Sequence, residues 1–196
     1  MRPDFRIILM PGALCLVRSG DDLFKKAPQR SGSRHSLRIC RSEKVRIEKL
    51  GVNNLNILTE LFDYNDVEDM ISECTQNIQN GIIDIFVLYD NSELIGELHV
   101  MYESDDENYA ALGRRAYLFA FRIREDHQNK GYGTHFLKAV MSLLKENGYY
   151  EFTVGVEDEN FRAKHIYQSL GFNEILLRKQ EEYQGDTYEY DLYLKR

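Results

Sequence analysis

The sequence predicts an α/β domain built in layers around a mixed β-sheet. Short apolar runs of strand length alternate with amphipathic segments of helical period along most of the chain. In the middle, a strand over 117–123, a helix over 132–146 and a strand over 150–156 predict a crossover between two parallel strands. Apolar runs joined by turn residues precede and follow this unit and predict antiparallel hairpins. This order of elements is typical of a mixed sheet covered by helices.

The predicted domain begins with a short strand and two helices. Residues 45–48 alternate as a strand, and a helical pattern follows with Asn53 or Asn54 available as its cap. The apolar positions of this pattern are Leu55, Leu58, Leu61 and Phe62. A second helix is expected over 66–77.

Hairpins are predicted on both sides of the central crossover. Residues 82–89 and 94–102 are strands of the first hairpin, and its turn contains Asp90-Asn91-Ser92. The second hairpin pairs 172–178 with 187–194. The last strand is expected to place alternate residues on one face, namely Tyr188, Tyr190, Leu192 and Leu194.

Charge divides the chain into two unlike parts. Residues 1–43 hold nine Lys and Arg against four Asp and Glu, so they carry +5, and the total of −7 leaves −12 for 44–196. An acidic body argues against nucleic acid as a partner, because phosphate contacts need clustered basic residues. It is compatible with a cationic amine substrate or with a surface that is merely solubilising.

The cysteines predict a reducing cytoplasm, and the length of 196 residues predicts a single domain. Cys15, Cys40 and Cys74 form an odd, widely spaced set that indicates neither a disulfide framework nor a metal site. No apolar run is long enough for a membrane span. Pro11-Gly12 interrupts the apolar run near the N-terminus, which argues against a signal peptide. We expect residues 1–44 to be a poorly ordered basic extension and 45–196 to be the catalytic domain.

The clearest functional signal lies between the central strand and its helix. Its residues are Gln128-Asn129-Lys130-Gly131-Tyr132-Gly133-Thr134. Two glycines at a helix N-terminus let the backbone approach a ligand closely, and the free N–H groups of the first turn favour a phosphate. The Walker pattern requires the lysine after the glycines, and the dinucleotide pattern requires a third glycine where Phe136 stands. Both nucleotide interpretations are therefore incomplete.

The motif Gln128-x-x-Gly131-x-Gly133 resembles the acetyl-CoA pyrophosphate loop of the GCN5-related N-acetyltransferases (GNAT). The elements that follow match the family over about sixty residues; they include Asn147-Gly148, Asn160, Ala163, Tyr167 and Gly171-Phe172. The resemblance implies a bacterial-type member with the GNAT three-layer fold, in which helices flank a central mixed, mostly antiparallel sheet. It also implies acetyl-CoA as the acetyl donor.

The resemblance assigns roles to individual residues. Backbone N–H groups of Lys130, Gly131, Tyr132, Gly133 and Thr134, with Gln128 and Asn129, are expected to bind the pyrophosphate. The backbone of Phe121, Arg122 and Ile123 is expected to bind the pantetheine arm. Asn160 and Ala163 are expected beside the cofactor, and Tyr167 is the expected general acid for the departing thiolate. Two positions depart from the family pattern: Glu125 stands where proline is common, and Gln128 where arginine is frequent.

The general base is the least determined assignment. An ammonium substrate must lose a proton before attack, yet residues 117–123 contain no acidic residue. Glu97 is the first candidate. His99, on the same predicted face, Glu157 at the end of the next strand, and a water relay are the alternatives.

The sequence thus predicts direct transfer of an acetyl group from acetyl-CoA to a primary amine within a ternary complex, because no cysteine lies near the cofactor motifs. A small-molecule amine is the favoured acceptor, and a protein N-terminus or lysine is the alternative. The acidic segment 103–107, with Tyr102, Tyr109 and Tyr117 nearby, could attract a cationic acceptor or be a solvated loop beside core tyrosines. A catalytically idle acyl-CoA-binding module and a nucleotide-binding regulator are the rival classes. The family resemblance is also compatible with a homodimer.

Overall fold

The computed structural model describes residues 44–64, 66–183 and 186–196. The predicted N-terminal extension therefore lies outside the described residues except for Lys44, as do Cys15 and Cys40. The strands are β1 Val45–Lys49, β2 Ile83–Asp90, β3 Glu93–Met101, β4 Arg115–Ile123, β5 Glu151–Glu157, β6 Glu174–Tyr183 and β7 Asp186–Lys195. The helices are α1 Val67–Gln79, α2 Tyr132–Glu146 and α3 Phe161–Ser169, with 3₁₀ segments at Val52–Glu60 and Glu125–His127.

The strands form one mixed sheet in the order β1-β2-β3-β4-β5-β7-β6. Neighbouring strands are antiparallel except β4 and β5, which are parallel because α2 returns the chain across the sheet. Helices cover both faces of the sheet, so the predicted three-layer fold is confirmed. No helix in the described part of the chain combines the length and apolarity that crossing a membrane requires.

The core consists of two clusters on opposite faces of the sheet. Helices α2 and α3 pack on one face, where Phe136 and Val140 are fully buried against Phe86 of β2. The first 3₁₀ segment and α1 pack on the other face, where Leu55 and Leu58 are buried with Ile85. Phe86 and Ile85 are successive residues of β2, and they point to opposite faces because a strand alternates its side chains.

Strands β4 and β5 separate after three residue pairs. Their register runs from Arg115 opposite Glu151 to Tyr117 opposite Thr153; beyond this point both strands continue without pairing to each other. On the other side of β4, the register with β3 shifts between Glu97 and His99, and Ala120 in the bulged strand has a φ of 46°. The sheet therefore opens into a V whose inner edge is unpaired β4 backbone.

Most predicted elements appear within two residues of their expected bounds, and three details differ. The first helical pattern is a 3₁₀ segment that begins after Gly51, with no side-chain cap, so neither Asn53 nor Asn54 caps it. Strand β6 begins at Glu174 because Gly171 (φ 93°) and the buried Phe172 still belong to the turn after α3. In β7, Asp191 and Tyr193 are buried like their neighbours, because β7 is an inner strand with both faces covered; the side chain of Tyr188 lies outside the described part.

Candidate functional site

A cleft of about 870 Å³ occupies the V between β4 and β5. One wall is β4 from Tyr117 to Ile123 with Arg124 after it, the opposite wall is the end of β5 with the start of α3, and the loop before α2 closes one end. The segment 59–63, which ends the first 3₁₀ segment, borders the cleft from the other face of the sheet. The cleft thus connects the two faces at the point where the strands separate.

The loop before α2 contains two residues in the left-handed backbone region. Gly131 is the N-cap of α2 with φ 84° and ψ −6°, and Asn129 has φ 60°. No side chain caps α2, so its first-turn N–H groups depend on a partner from outside the helix. A Cβ on Gly133, in the first turn of α2, would lie 3.1 Å from the Phe121 ring, so a side chain there would have to push this ring of β4 away by a few tenths of an ångström. The phosphate-site prediction depends on these free N–H groups.

Side-chain hydrogen bonds connect the loop before α2 to strand β4 and to helix α3. Gln128 Nε2 donates a hydrogen bond of 2.8 Å to the Ile123 carbonyl at the end of β4. Arg162, in the first turn of α3, donates to Gln128 Oε1 at 2.7 Å and to Asn129 Oδ1 at 2.9 Å. Arg162 was not among the predicted site residues; its place two residues after Asn160, near the expected cofactor wall, was the only signal in the sequence.

Helix α3 brings its three predicted residues to the cleft. Asn160 is the N-cap, and its side chain accepts a hydrogen bond of 3.0 Å from the Ala163 backbone N–H. Tyr167, two turns further on, is 8% exposed and packs against Phe121 and Phe172 at ring distances of 6.3 and 5.5 Å. Burial raises the pKa of the Tyr167 phenol, so it stays protonated and can donate a proton.

Glu97 is engaged in a buried ion pair behind the cleft. Its carboxylate is fully buried and accepts hydrogen bonds from Arg122 Nε at 2.5 Å and from the Tyr64 hydroxyl at 2.8 Å. Arg122 also donates to the Tyr64 oxygen, and its guanidinium lies 3.9 Å from the centre of the Phe62 ring. Burial alone would raise the pKa of Glu97, but His99, Arg122 and Tyr64 together lower it.

These surroundings argue against the predicted base role of Glu97. A carboxylate with a lowered pKa and an arginine counter-charge has little tendency to take up a proton, and neither Glu97 nor His99 lines the cleft. His99 Nε2 is buried 3.9 Å from Glu97 Oε2, and its ring contacts Phe119. Among the acidic candidates for the base, Glu157 is the one that borders the cleft.

The predicted acceptor features are only partly at the cleft. Tyr117 lines it and stacks on Phe119 at 5.5 Å. Tyr102 instead donates to Asp84, and the hydroxyl groups of Tyr109 and Tyr190 lie 2.5 Å apart in the core. The acidic segment 103–107 does not line the cleft, because it folds onto basic side chains such as Lys179 and Arg114. The carboxylates that do border the cleft include Glu60, Asp63 and Glu157.

Comparisons with known proteins agree with this architecture. Residues 54–172 match a family model described as the acetyltransferase (GNAT) family. Similar solved structures include an acetyl transferase from Salmonella typhimurium that modifies the N-terminal serine of 50S ribosomal subunit protein L7/L12 (18% identity, 79% of this chain and 95% of that one, TM-score 0.62). A second is the putative acetyltransferase yncA from Salmonella typhimurium with its cofactor acetyl-CoA (15% identity, 77% and 92%, TM-score 0.59).

A third similar structure is the spermidine/spermine N-acetyltransferase SpeG from Vibrio cholerae (19% identity, 77% of this chain and 91% of that one, TM-score 0.60). A search of curated proteins found no match. At these identities the structural likeness concerns the fold, and the family assignment comes from the family model.

Proposed function

Because the chain belongs to the acetyltransferase (GNAT) family, we propose that it transfers the acetyl group of acetyl-CoA to a primary amine of a small cationic acceptor. The family match makes it an acetyl-CoA-dependent N-acetyltransferase. The observation that carries the proposal is the open V between β4 and β5, which brings the uncapped N-terminus of α2, the β4 edge that β5 leaves unpaired and the Tyr167 phenol into one cleft.

The residues of the cleft fit the cofactor at both ends. The uncapped first turn of α2 offers N–H groups from Gly131 to Thr134 to the pyrophosphate, with Gln128, Asn129 and Lys130 in the same loop. The unpaired edge of β4 at Phe121, Arg122 and Ile123 offers backbone groups to the pantetheine arm. Asn160 and Ala163 border the cleft on the opposite wall. When bound, acetyl-CoA supplies the activated thioester carbonyl.

The residues of the cleft are assigned the proton transfers that accompany direct attack of the amine on the thioester. The amine nitrogen forms a bond to the carbonyl carbon, the carbon–sulfur bond breaks, and Tyr167 donates a proton to the departing thiolate; the proton that the acylated nitrogen then loses restores the phenol. The ammonium form of the acceptor must first lose a proton. We assign this step to Glu157, directly or through a water molecule, since Glu97 is held by Arg122.

Acidic side chains at the cleft favour a cationic acceptor. Glu60, Asp63 and Glu157 border the cleft, and Phe62 and Phe119 also line it. Carboxylates attract an ammonium group. The same features would suit a protein N-terminus or a lysine side chain, which remains the alternative acceptor class. Both classes occur among the similar structures, one of which modifies a ribosomal protein N-terminus while another is a spermidine/spermine N-acetyltransferase.

The test is isothermal titration of the full chain with acetyl-CoA, followed by an acceptor screen with mass detection of acetylated product. Polyamines, other small amines, and peptides with free N-termini or lysines are separate arms of the screen. Tyr167→Phe serves as a binding-competent control. Tight binding without product in any arm would favour the idle acyl-CoA-binding module, and no binding by the folded chain would refute the cofactor assignment.

Three further expectations are retained as proposals. Residues 45–196 are the catalytic domain, so a chain truncated to this range should bind acetyl-CoA as the full chain does. A homodimer is tested by light scattering coupled to gel filtration. Cytoplasmic localisation remains the prediction from cysteine usage.

A further inference from the structure

Arg162 differs from the other arginines of the described residues in what it contacts. Each of the others lies within ion-pair distance of a carboxylate; Arg122 pairs with Glu97, and Arg124 pairs with Glu93 and Asp126. Arg162 contacts only neutral side-chain amide oxygens, those of Gln128 and Asn129. Its positive charge therefore has no fixed counter-charge in the described part of the chain.

This charge stands where an anion is proposed to bind. Arg162 is exposed and borders the cleft beside Gly131 and Asn160, and its two acceptors belong to the phosphate loop. Residues 44–196 carry a formal charge of −12, so the domain as a whole repels an anionic cofactor. An uncompensated guanidinium at the loop offsets this repulsion locally.

The geometry of the guanidinium suits a phosphate. Nη1 and Nη2 each donate one hydrogen bond, to oxygens on two successive side chains of the loop. An arginine presents these donors as a planar fork that matches two oxygens of a phosphate. Exchange of the neutral amide oxygens for phosphate oxygens would give these hydrogen bonds a charged acceptor as well as a charged donor, which strengthens them.

We propose that Arg162 binds a phosphate group at the nucleotide end of acetyl-CoA, and that Gln128 and Asn129 hold its side chain in place beforehand. This inference rests on the proposed function, since it adds a residue to the same cofactor site. The phosphate is either the 3′-phosphate of the ribose or the pyrophosphate that the loop binds. Both have the chemistry that the fork recognises.

The test is isothermal titration of the full chain and of Arg162→Gln with acetyl-CoA and with its 3′-dephospho analogue, at low and at moderate salt. We expect the substitution to weaken acetyl-CoA binding about 10- to 100-fold, because hydrogen bonds to charged groups carry this much binding energy. If the 3′-phosphate is the ligand group, the loss is much smaller with the dephospho analogue; if it is the pyrophosphate, the loss is the same with both.

Two further variants make the test specific. Lys138→Gln removes one positive charge from an exposed position of α2 that does not line the cleft, and it should leave binding unchanged. Arg162→Lys keeps the charge without the fork and should recover part of the affinity. The salt dependence of binding should be weaker in Arg162→Gln than in the wild type, because screening acts on the removed charge.

Different results would refute the phosphate contact of Arg162 and the proposed cofactor site. Equal affinity of wild type and Arg162→Gln overturns the phosphate contact while leaving the cofactor site intact. A loss that is not recovered by lysine and has unchanged salt dependence also overturns it, because Arg162 would then act through the shape of the loop. Absence of acetyl-CoA binding in the wild type instead refutes the proposed function.

Discussion

Substitution of Gly131 by alanine tests whether the backbone of the loop before α2 forms the cofactor site. Gly131 has φ 84°, and no atom lies within 4 Å of an added Cβ, so the cost is purely one of backbone conformation. An L-residue in the left-handed region costs about 1–2 kcal/mol. In a chain of this length, 1 kcal/mol lowers the midpoint of thermal unfolding by roughly 2–4 °C. We therefore expect a loss of roughly 2–8 °C.

Gly148 provides a matched control at the other end of the same helix. It has φ 91°, and an added Cβ there also meets nothing within 4 Å. Gly148→Ala should therefore lose the same unfolding free energy. Only Gly131→Ala should also lose acetyl-CoA affinity, because relief of the strain rotates the N–H groups that face the pyrophosphate. Loss of one hydrogen bond to a charged group should weaken acetyl-CoA binding about 10- to 100-fold.

Circular dichroism melts measure the loss of stability, and isothermal titration separately measures the loss of acetyl-CoA affinity. Gly131→Asn should bind better than Gly131→Ala, since asparagine tolerates the left-handed region. Wild-type affinity in Gly131→Ala would refute the assignment of the loop as the pyrophosphate site. An equal loss of affinity in Gly148→Ala would show that general destabilisation, and not loop geometry, weakens binding.

Three other substitutions or measurements test the remaining assignments. Tyr167→Phe should lower kcat about 100-fold or more while the acetyl-CoA dissociation constant stays within about twofold; an unchanged kcat in steady-state assays would exclude the general-acid role. Glu97→Gln leaves the Arg122 guanidinium without its counter-charge and should cost about 3–5 kcal/mol in urea unfolding at neutral pH. Because the folded-state pKa of Glu97 is lowered from 4.5, the stabilisation by the ionised carboxylate is complete above that value and is lost as the pH falls through the lowered pKa. The difference in the free energy of unfolding between wild type and Glu97→Gln should accordingly become smaller in acid, and a difference that stays constant with pH would contradict the ion pair. Burial raises the pKa of the Cys74 thiol to about 12, so peptide mapping should find it unmodified by iodoacetamide until urea unfolds the chain; ready labelling of the native protein would contradict its burial.

The local elements of this protein follow from local signals in the sequence. Helix α2 occupies its predicted range, because an amphipathic period of 3.6 lies between Gly131 and the Asn147-Gly148 stop. The spacing of Asn160, Ala163 and Tyr167 predicts one wall of the cleft for a similar reason, since residues three and four apart share a helix face. Where the first 3₁₀ segment begins was mispredicted, because several polar residues in succession offer equivalent caps.

The surroundings of individual side chains depend on contacts between distant parts of the chain. Glu97 and Arg122 are neighbours only because β3 and β4 pair with a shifted register at the bulge. Tyr109 meets Tyr190 across the core and so is removed from any acceptor site. The segment 59–63 borders the cleft because the first 3₁₀ segment packs on the face opposite α2, and no spacing in the sequence relates these parts.

Local patterns in the sequence predicted the fold class, the glycine turn before α2 and the α3 wall of the cleft, because hydrophobic period, glycine conformation and helix spacing are properties of neighbouring residues. The packed structure was needed to show which acidic residues border the cleft, which tyrosines are core, and that Arg162 stands beside the loop without a counter-charge in the described residues. Those properties depend on strand register and on burial, which arise from packing of segments far apart in the chain.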